Sequence, residues 1–432
     1  MSWMTARHPA SPNAPKPRDP AQNSRIRTMH NPSMTSIPVL RSVRAAEPAS
    51  SFIAAAESLG PLVAEHRTAL ACGPDLPPEI ALALERAGLT RLWLPRDLGG
   101  AELPPVEYLQ VIEAVARHDG AVGWCAAIGS TGTRIAGLLE TKPARELFGD
   151  SGFASGSTAP TGGMVPDGNG WRVNGRWSWG SFIRYSKVTI ATCVEHGGAA
   201  PRLTADGAPL LRVAVVPTAQ VKILDTWNAG GLRATGSHDF EIENLWVPDE
   251  RTIALAGFAA KPHHPGALYA LPFVTTFALG IASVPLGIAR ASIDALVALS
   301  ARKVPAGTQV PLREQPGVQG DVARAETLLR CARAFLFEAV GTLWDTAVSG
   351  EKPTMSQRAL VRMAIWNAAQ AGKAVVELMY SAAGGTATDE RAPFAAQLRD
   401  VHAASQHLAF ATRNMETAGR ILLGMEPGTA RF

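Results

Sequence analysis

The period of the hydrophobic pattern changes twice along this chain, and that order of periods limits the folds open to it. Over residues 52–149, apolar residues recur at three- and four-residue steps, as in PEIALALERAGLTRL and PPVEYLQVIEAVARHDGAVGW, which is helical spacing. Pro77-Pro78 and Pro104-Pro105 stand at helix starts, where a missing N–H is harmless. Gly88 and the Gly99-Gly100 pair mark helix ends and turns. Near Ser151 the character switches. Residues 152–252 carry short alternating runs (WRVNGRWSWGS, KVTIATCV, LRVAVVP, VKILDTW and HDFEIENLWVP) punctuated by Gly, Asn, Asp and Pro. Such runs predict a β-sandwich or barrel of about seven or eight short strands. Residues 266–425 return to long helical periodicity in four pieces, the pattern of a four-helix bundle. The expected fold is α+β, mainly α: a helical domain at 49–150, a β domain at 151–262 and a bundle at 263–432.

Residues 1–48 are rich in Pro, Ser, Arg and Asn and lack periodicity, so a disordered extension is expected there, with Met34 an alternative start to Met1. The net charge of +4 is concentrated in this segment, which holds Arg7, Lys16, Arg18, Arg25, Arg27, Arg41 and Arg44. The remainder is near neutral, which argues against nucleic acid as a partner. Cys72, Cys125, Cys193 and Cys331 follow no metal or redox spacing and read as free thiols in a reducing compartment. No run reaches the ~18 apolar residues of a membrane span, and no signal-peptide core opens the chain. No membrane partner and a cytoplasmic location are expected. Walker, zinc, nucleophile-elbow and dinucleotide glycine motifs are missing. The GSTG at Gly129 reads as a close-packing patch and His263-His264 as a linker.

Four segments carry a family likeness in order: LPRDLGGAELPPVEYLQVIEAVARHD from Leu94, GLRATGSHDFEIENLWVP from Gly231, ARKVPAGTQVPLREQPGVQGDVARAE from Ala301, and AAGGTATDERAPFAAQLRDVHA from Ala382. Together they resemble the acyl-CoA dehydrogenase superfamily over nearly all of residues 50–425. Three more, ASGSTAPTGGMVPDGNGWRVNGRWSWGS, DTWNAGGLRATGSHD and RDVHAASQH, resemble its flavin-dependent monooxygenase branch. These are oxygenase components of two-component systems. The resemblance implies reduced flavin (FMNH2 or FADH2) supplied by a separate NAD(P)H:flavin reductase, and O2 as co-substrate. It also implies a C4a-hydroperoxyflavin, a small aromatic or heteroaromatic substrate and a homotetramer.

Abstracting the α-proton of a thioester needs a carboxylate, and both regions where the superfamily keeps that base lack one. Residues 401–415 and 268–293 contain no Asp or Glu, and Leu408 falls near the usual glutamate position. An FAD-dependent acyl-CoA dehydrogenase with its base elsewhere, and a non-catalytic flavin-binding scaffold subunit, are the alternatives.

The resemblance also implies roles for single residues. Ser157, in the loop before the GWRV strand, would place a hydroxyl near flavin N5, and His407 an imidazole near the reacting oxygen, able to share a proton near neutral pH. Trp177, with Trp179 beside it, would flank the isoalloxazine, and Ser181 would offer it a hydroxyl. Arg302 and the Gly384-Gly385 pair would meet the dinucleotide end of the cofactor, the guanidinium pairing with phosphate. Trp124 would line the substrate side. His402, five residues before His407, would lie about 140° away on one helix, at the pocket rim. In several aromatic hydroxylases of this branch a second histidine follows the tryptophan by eight positions. Gly132 stands there, so a phenol gripped by two histidines is not expected.

Overall fold

The computed structural model describes residues 48–149, 152–256, 259–429 and 432, so the expected extension lies, but for Pro48, outside the described residues. Helices begin at the anticipated prolines, over Pro78–Arg86 and Pro105–His118. The helix Gly120–Thr133 differs, because nearly all its residues are buried. Its small residues permit packing on every side. Asp119 caps it: Oδ1 accepts from the N–H groups of Ala121 at 2.8 Å and Val122 at 3.1 Å. A Cβ at Gly132 would overlap the carbonyl oxygen of Ala154, so the helix can lie against the sheet only with glycine there.

The sheet has seven strands: β1 Ala154–Asp167, β2 Gly170–Gly180, β3 Val188–Glu195, β4 Leu211–Pro217, β5 Lys222–Leu224, β6 His238–Pro248 and β7 Thr252–Leu255. Their order is β5-β6-β2-β1-β3-β4-β7, with β1 and β3 parallel and the other pairs antiparallel. It is one sheet where the sequence suggests a sandwich or barrel. Alternation explains how a single sheet buries so much. On β3, Val188 and Ile190 join a core with Phe148 and Phe273, while Ala191 and Cys193 join one with Met164, Trp177 and Phe240. The alternating runs correspond to β2 through β6. β1, rich in Gly and Pro, and the four-residue β7 leave no comparable run.

The β1–β3 register breaks at one place. Ser157 faces Ala191 and the next paired residue, Gly162, faces Cys193, so residues 158–161 bulge opposite Thr192.

The C-terminal region keeps three long helices, Val284–Ser300, Pro316–Val348 and Met355–Ala383. The last opens with a capping box between Thr354 and Gln357. The first expected piece is broken ahead of Val284 into Ala267–Ala270 and Phe273–Gly280, with Pro272 at the break. The segment Phe273–Ser300 is long and apolar enough to cross a membrane, but 83% of its most apolar window is buried inside the fold. The fourth piece is also not continuous. Phe394–Ala404 and Arg413–Leu422 flank a short 3-10 turn, Leu408–Phe410, and His407 opens that turn with extended backbone, φ −63° and ψ 144°.

Candidate functional site

The break in the last helix, the β1 bulge, the end of β2 and the helix Gly120–Thr133 converge. The rings of Trp124 and His407 lie 5.7 Å apart and nearly perpendicular. Phe410 stands 6.5 Å from His407 on the other side of the turn. Beside them a cavity of about 210 Å³ opens between Thr158 of the bulge, Phe273, Val274 and Phe277 of the buried helix, and Leu408 and Arg413. No Asp or Glu is among its described lining residues.

His407 is reachable by water on one side yet enclosed by protein on the others, as befits a residue lining a recess. Surface exposure and enclosure pull in opposite directions here, and the enclosure sets the direction of the shift: burial pushes the imidazole pKa down, to about 4. The ring is therefore neutral near pH 7. Its Nδ1 accepts from the Ala409 N–H at 3.2 Å, which assigns the ring proton to Nε2.

The expectation of one helix carrying both histidines is corrected. The helix ends at Ala404, because residues 405–412 leave helical geometry to form the turn. His402 faces outward, its Nε2 paired with Glu377 at 2.9 Å, and is not part of the pocket.

Trp177 is the second correction. It is fully buried in the β core, its Nε1 donating to the Thr192 carbonyl at 2.8 Å and its ring stacked on Phe240 at 5.3 Å. A flavin cannot reach it. Residues i and i+2 of a strand share a face, so Trp179 would follow it inward. Trp179 instead takes left-handed backbone, φ +66°, and turns out to 73% exposure. The accessible indole is Trp179.

Ser157 sits on β1 at the start of the bulge, not in a loop, and its Oγ accepts from the Ala159 N–H at 3.3 Å. Ser181 is buried; its Oγ accepts from Trp124 Nε1 at 3.1 Å and lies 2.7 Å from Ser237 Oγ. Arg302 is exposed just past the helix Val284–Ser300. Its neighbour Lys303 donates to the Ala383 carbonyl at 2.6 Å and to Thr386 Oγ1 at 2.8 Å, bringing this segment to the Gly384-Gly385 turn. Gly384, at φ +58° and ψ −148°, occupies backbone that only glycine adopts readily. The packing at Gly132 explains the missing second histidine: no side chain fits there.

A carboxyl pair beneath the site is not anticipated by the sequence reading. Asp400 Oδ1 accepts from the Leu232 N–H at 2.6 Å, and burial together with nearby Asp119 raises its pKa to about 7. The Asp before GAVGW was a readable helix cap, but its proximity to Asp400 is set by tertiary packing alone.

A flavin ring needs a flat apolar face, polar donors for its heteroatoms and shelter from water. Within the cavity, Phe273, Val274 and Phe277 supply the apolar surface and Thr158 a hydroxyl, while Arg362 and Arg413 supply cationic donors.

The family described as Acyl-CoA dehydrogenase, C-terminal domain, matches residues 279–412. Indole-3-acetate monooxygenase of Pseudomonas putida is 30% identical over 349 residues, covering 80% of this chain and 86% of that protein. The flavin-dependent monooxygenase oxygenase subunit HsaA of Mycobacterium tuberculosis is 27% identical, covering 84% of this chain and 92% of that one. The crystal structure of the HsaA monooxygenase from M. tuberculosis superposes with a TM-score of 0.81 at 25% identity, over 89% of this chain and 100% of that one. The chain belongs to the acyl-CoA dehydrogenase superfamily, in its branch of flavin-dependent monooxygenases. It is the oxygenase component of a two-component system, an oxidoreductase that uses reduced flavin and dioxygen and depends on a separate reductase.

Proposed function

We propose that this chain hydroxylates a small aromatic or heteroaromatic compound, with His407 as the catalytic imidazole. The observation that carries the reading is a cavity free of carboxylates with a neutral imidazole beside it. Bound reduced flavin supplies the electrons that activate dioxygen. His407 presents Nε2–H as a donor at the reacting oxygen or the substrate's proton-bearing group. Its low pKa keeps the imidazole neutral and its Nδ1 free to accept near pH 7. Trp124 and Phe410 flank the imidazole edge-on and fix its plane. Trp179, Ser157, Thr158 and Ser181 form the side toward the flavin ring. Arg302 and Gly384-Gly385 receive a phosphate-bearing end. The activity for which the Pseudomonas putida relative is named favours an indole-like substrate.

The reductase is an NAD(P)H:flavin enzyme, and the assembly is a cytoplasmic homotetramer. Exposed Val297, Leu422 and Leu423 support helix-to-helix association, and light scattering at micromolar concentration should report a mass near four chains.

The test uses purified protein, chemically reduced FMN or FAD, oxygen and indole-3-acetate or 4-hydroxyphenylacetate. Product should form, whereas butyryl-CoA with an artificial electron acceptor should give no dye reduction above background. Acyl-CoA-dependent dye reduction would overturn the reading. His407→Ala should lower coupled product by ~10²–10⁴-fold, diverting oxygen to hydrogen peroxide with little change in flavin affinity. His402→Ala should be mild, since its partner is an exposed glutamate.

A further inference from the structure

Trp124 packs edge-on against His407, and two buried hydroxyls beyond Ser181, those of Ser237 and Thr235, have no part in the function above. The Trp124 Nε1–H donates to Ser181 Oγ at 3.1 Å. Ser181 Oγ lies 2.7 Å from Ser237 Oγ, which lies 2.7 Å from Thr235 Oγ1. The three hydroxyl residues are 6%, 5% and 1% exposed. They come from two pieces of chain: Ser181 just after β2, and Thr235 and Ser237, two residues apart, between the turn Arg233–Thr235 and β6.

Proton counting fixes one role in the chain. An indole N–H can only donate, so Ser181 Oγ must accept from Trp124. Three hydroxyl protons then face only two hydroxyl–hydroxyl contacts, and one proton is left over. If the chain runs from Ser181 toward Thr235, the surplus proton sits on Thr235, which is buried with no further acceptor among the described residues. A buried donor without an acceptor is unfavourable. Run the other way, the surplus proton sits on Ser181, which is likewise buried and has no further acceptor among the described residues. Either sense leaves Ser181 Oγ as the fixed acceptor of the indole. Ser237 holds that oxygen in place, and Thr235 holds Ser237.

We propose that Ser237 and Thr235 are positioning residues for His407, acting through Ser181 on the indole of Trp124 and through that ring on the plane of the imidazole. The catalytic half of this proposal rests on the role given to His407 above. Without the Ser237 hydroxyl, Ser181 is free to rotate, the indole N–H loses its held acceptor, and the edge that packs on His407 is no longer fixed. The imidazole is then free to leave its plane.

The experiment compares Ser237→Ala, Ser237→Thr and Thr235→Val, the last nearly isosteric so that a folded variant is at hand. The first readout needs no flavin: NMR of the full chain, following hydrogen exchange of the Trp124 indole proton and titration of the His407 imidazole. Ser237→Ala and Thr235→Val should speed indole exchange by ~10-fold or more and move the His407 titration up toward that of an ordinary histidine. Ser237→Thr, which restores a hydroxyl, should return both toward wild type. The second readout is product formed per flavin oxidised, which should fall in the two deletion variants and recover in Ser237→Thr. Unchanged exchange and titration in both deletion variants would overturn the proposal. His407→Ala, run in parallel, separates the two readings. If it abolishes product while Ser237→Ala and Thr235→Val keep full yield, the positioning role fails alone. If His407→Ala itself keeps full yield, the role of His407 fails.

Discussion

Two histidines five residues apart have opposite surroundings, and the difference is measurable. His402 lies in water against Glu377, while His407 lies in a recess that disfavours its charged form. A histidine with a lowered folded pKa contributes fully above the unfolded value near 6.5. Below it the unfolded chain takes up a proton that the folded imidazole refuses, so stability falls as pH drops toward about 4. Replacing His407 with Asn should remove this part of the acid sensitivity. Urea unfolding at pH 7 and pH 5 should show the variant losing less stability than wild type over that interval. His407 was legible in the sequence because its local motif matched a family pattern. Its neighbourhood was not, because the helical period runs on through residues 405–412 while the backbone leaves the helix. The two tryptophans of WSW teach the same lesson. A strand pattern puts both on one face, and only the left-handed turn at Trp179, which no glycine announces, separates them.

At the level of elements, most of the architecture could be read ahead. Proline starts, alternating runs and long periodic segments placed the helical regions and five of the seven strands, but not the breaks ahead of Val284 and at residues 405–412. The rest escaped for physical reasons. β1 is held by pairing on both sides despite a Gly- and Pro-rich composition, so its propensity is misleading. The helix Gly120–Thr133 is apolar all round and shows no stripe, yet its glycines mark the tightest approach to the sheet. Gly132→Ala tests that approach. The added methyl meets the Ala154 carbonyl, which belongs to the strand that carries Ser157, so the helix or the strand must shift. A loss of about 1–3 kcal/mol is expected in denaturant unfolding. Alanine is the better helix former, so a neutral or stabilising result would show that the contact yields freely.

For the whole molecule, Asp119 and Asp400 form a junction between layers. Asp119 caps the helix that bears Trp124. Asp400 accepts from Leu232, two residues before Ala234 and three before Thr235, on the helix that leads to His407. Burial and mutual repulsion hold the Asp400 carboxyl up at about 7. For an acid raised in the folded state the sign is opposite to the usual carboxylate. The folded chain binds the proton more tightly, so stability is fullest below the unfolded value near 4 and falls as pH climbs toward 7. Asp400→Asn keeps an acceptor for Leu232 and cannot ionise. Its stability relative to wild type should therefore improve steadily from pH 4 to pH 8 in thermal melts, and a flat difference would show that the pair does not share this strain.

The broken helix at residues 405–412 has a consequence for where the chemistry is carried. The turn owes the core only Ala409 and Phe410, while His407 and Leu408 remain at the surface of the recess. The interlocked helices on either side take no core packing from His407 or Leu408. The reactive group thus sits in a short turn between two durable helices, held there by its own bond to Ala409, so the frame and the chemistry are carried by different parts of the chain.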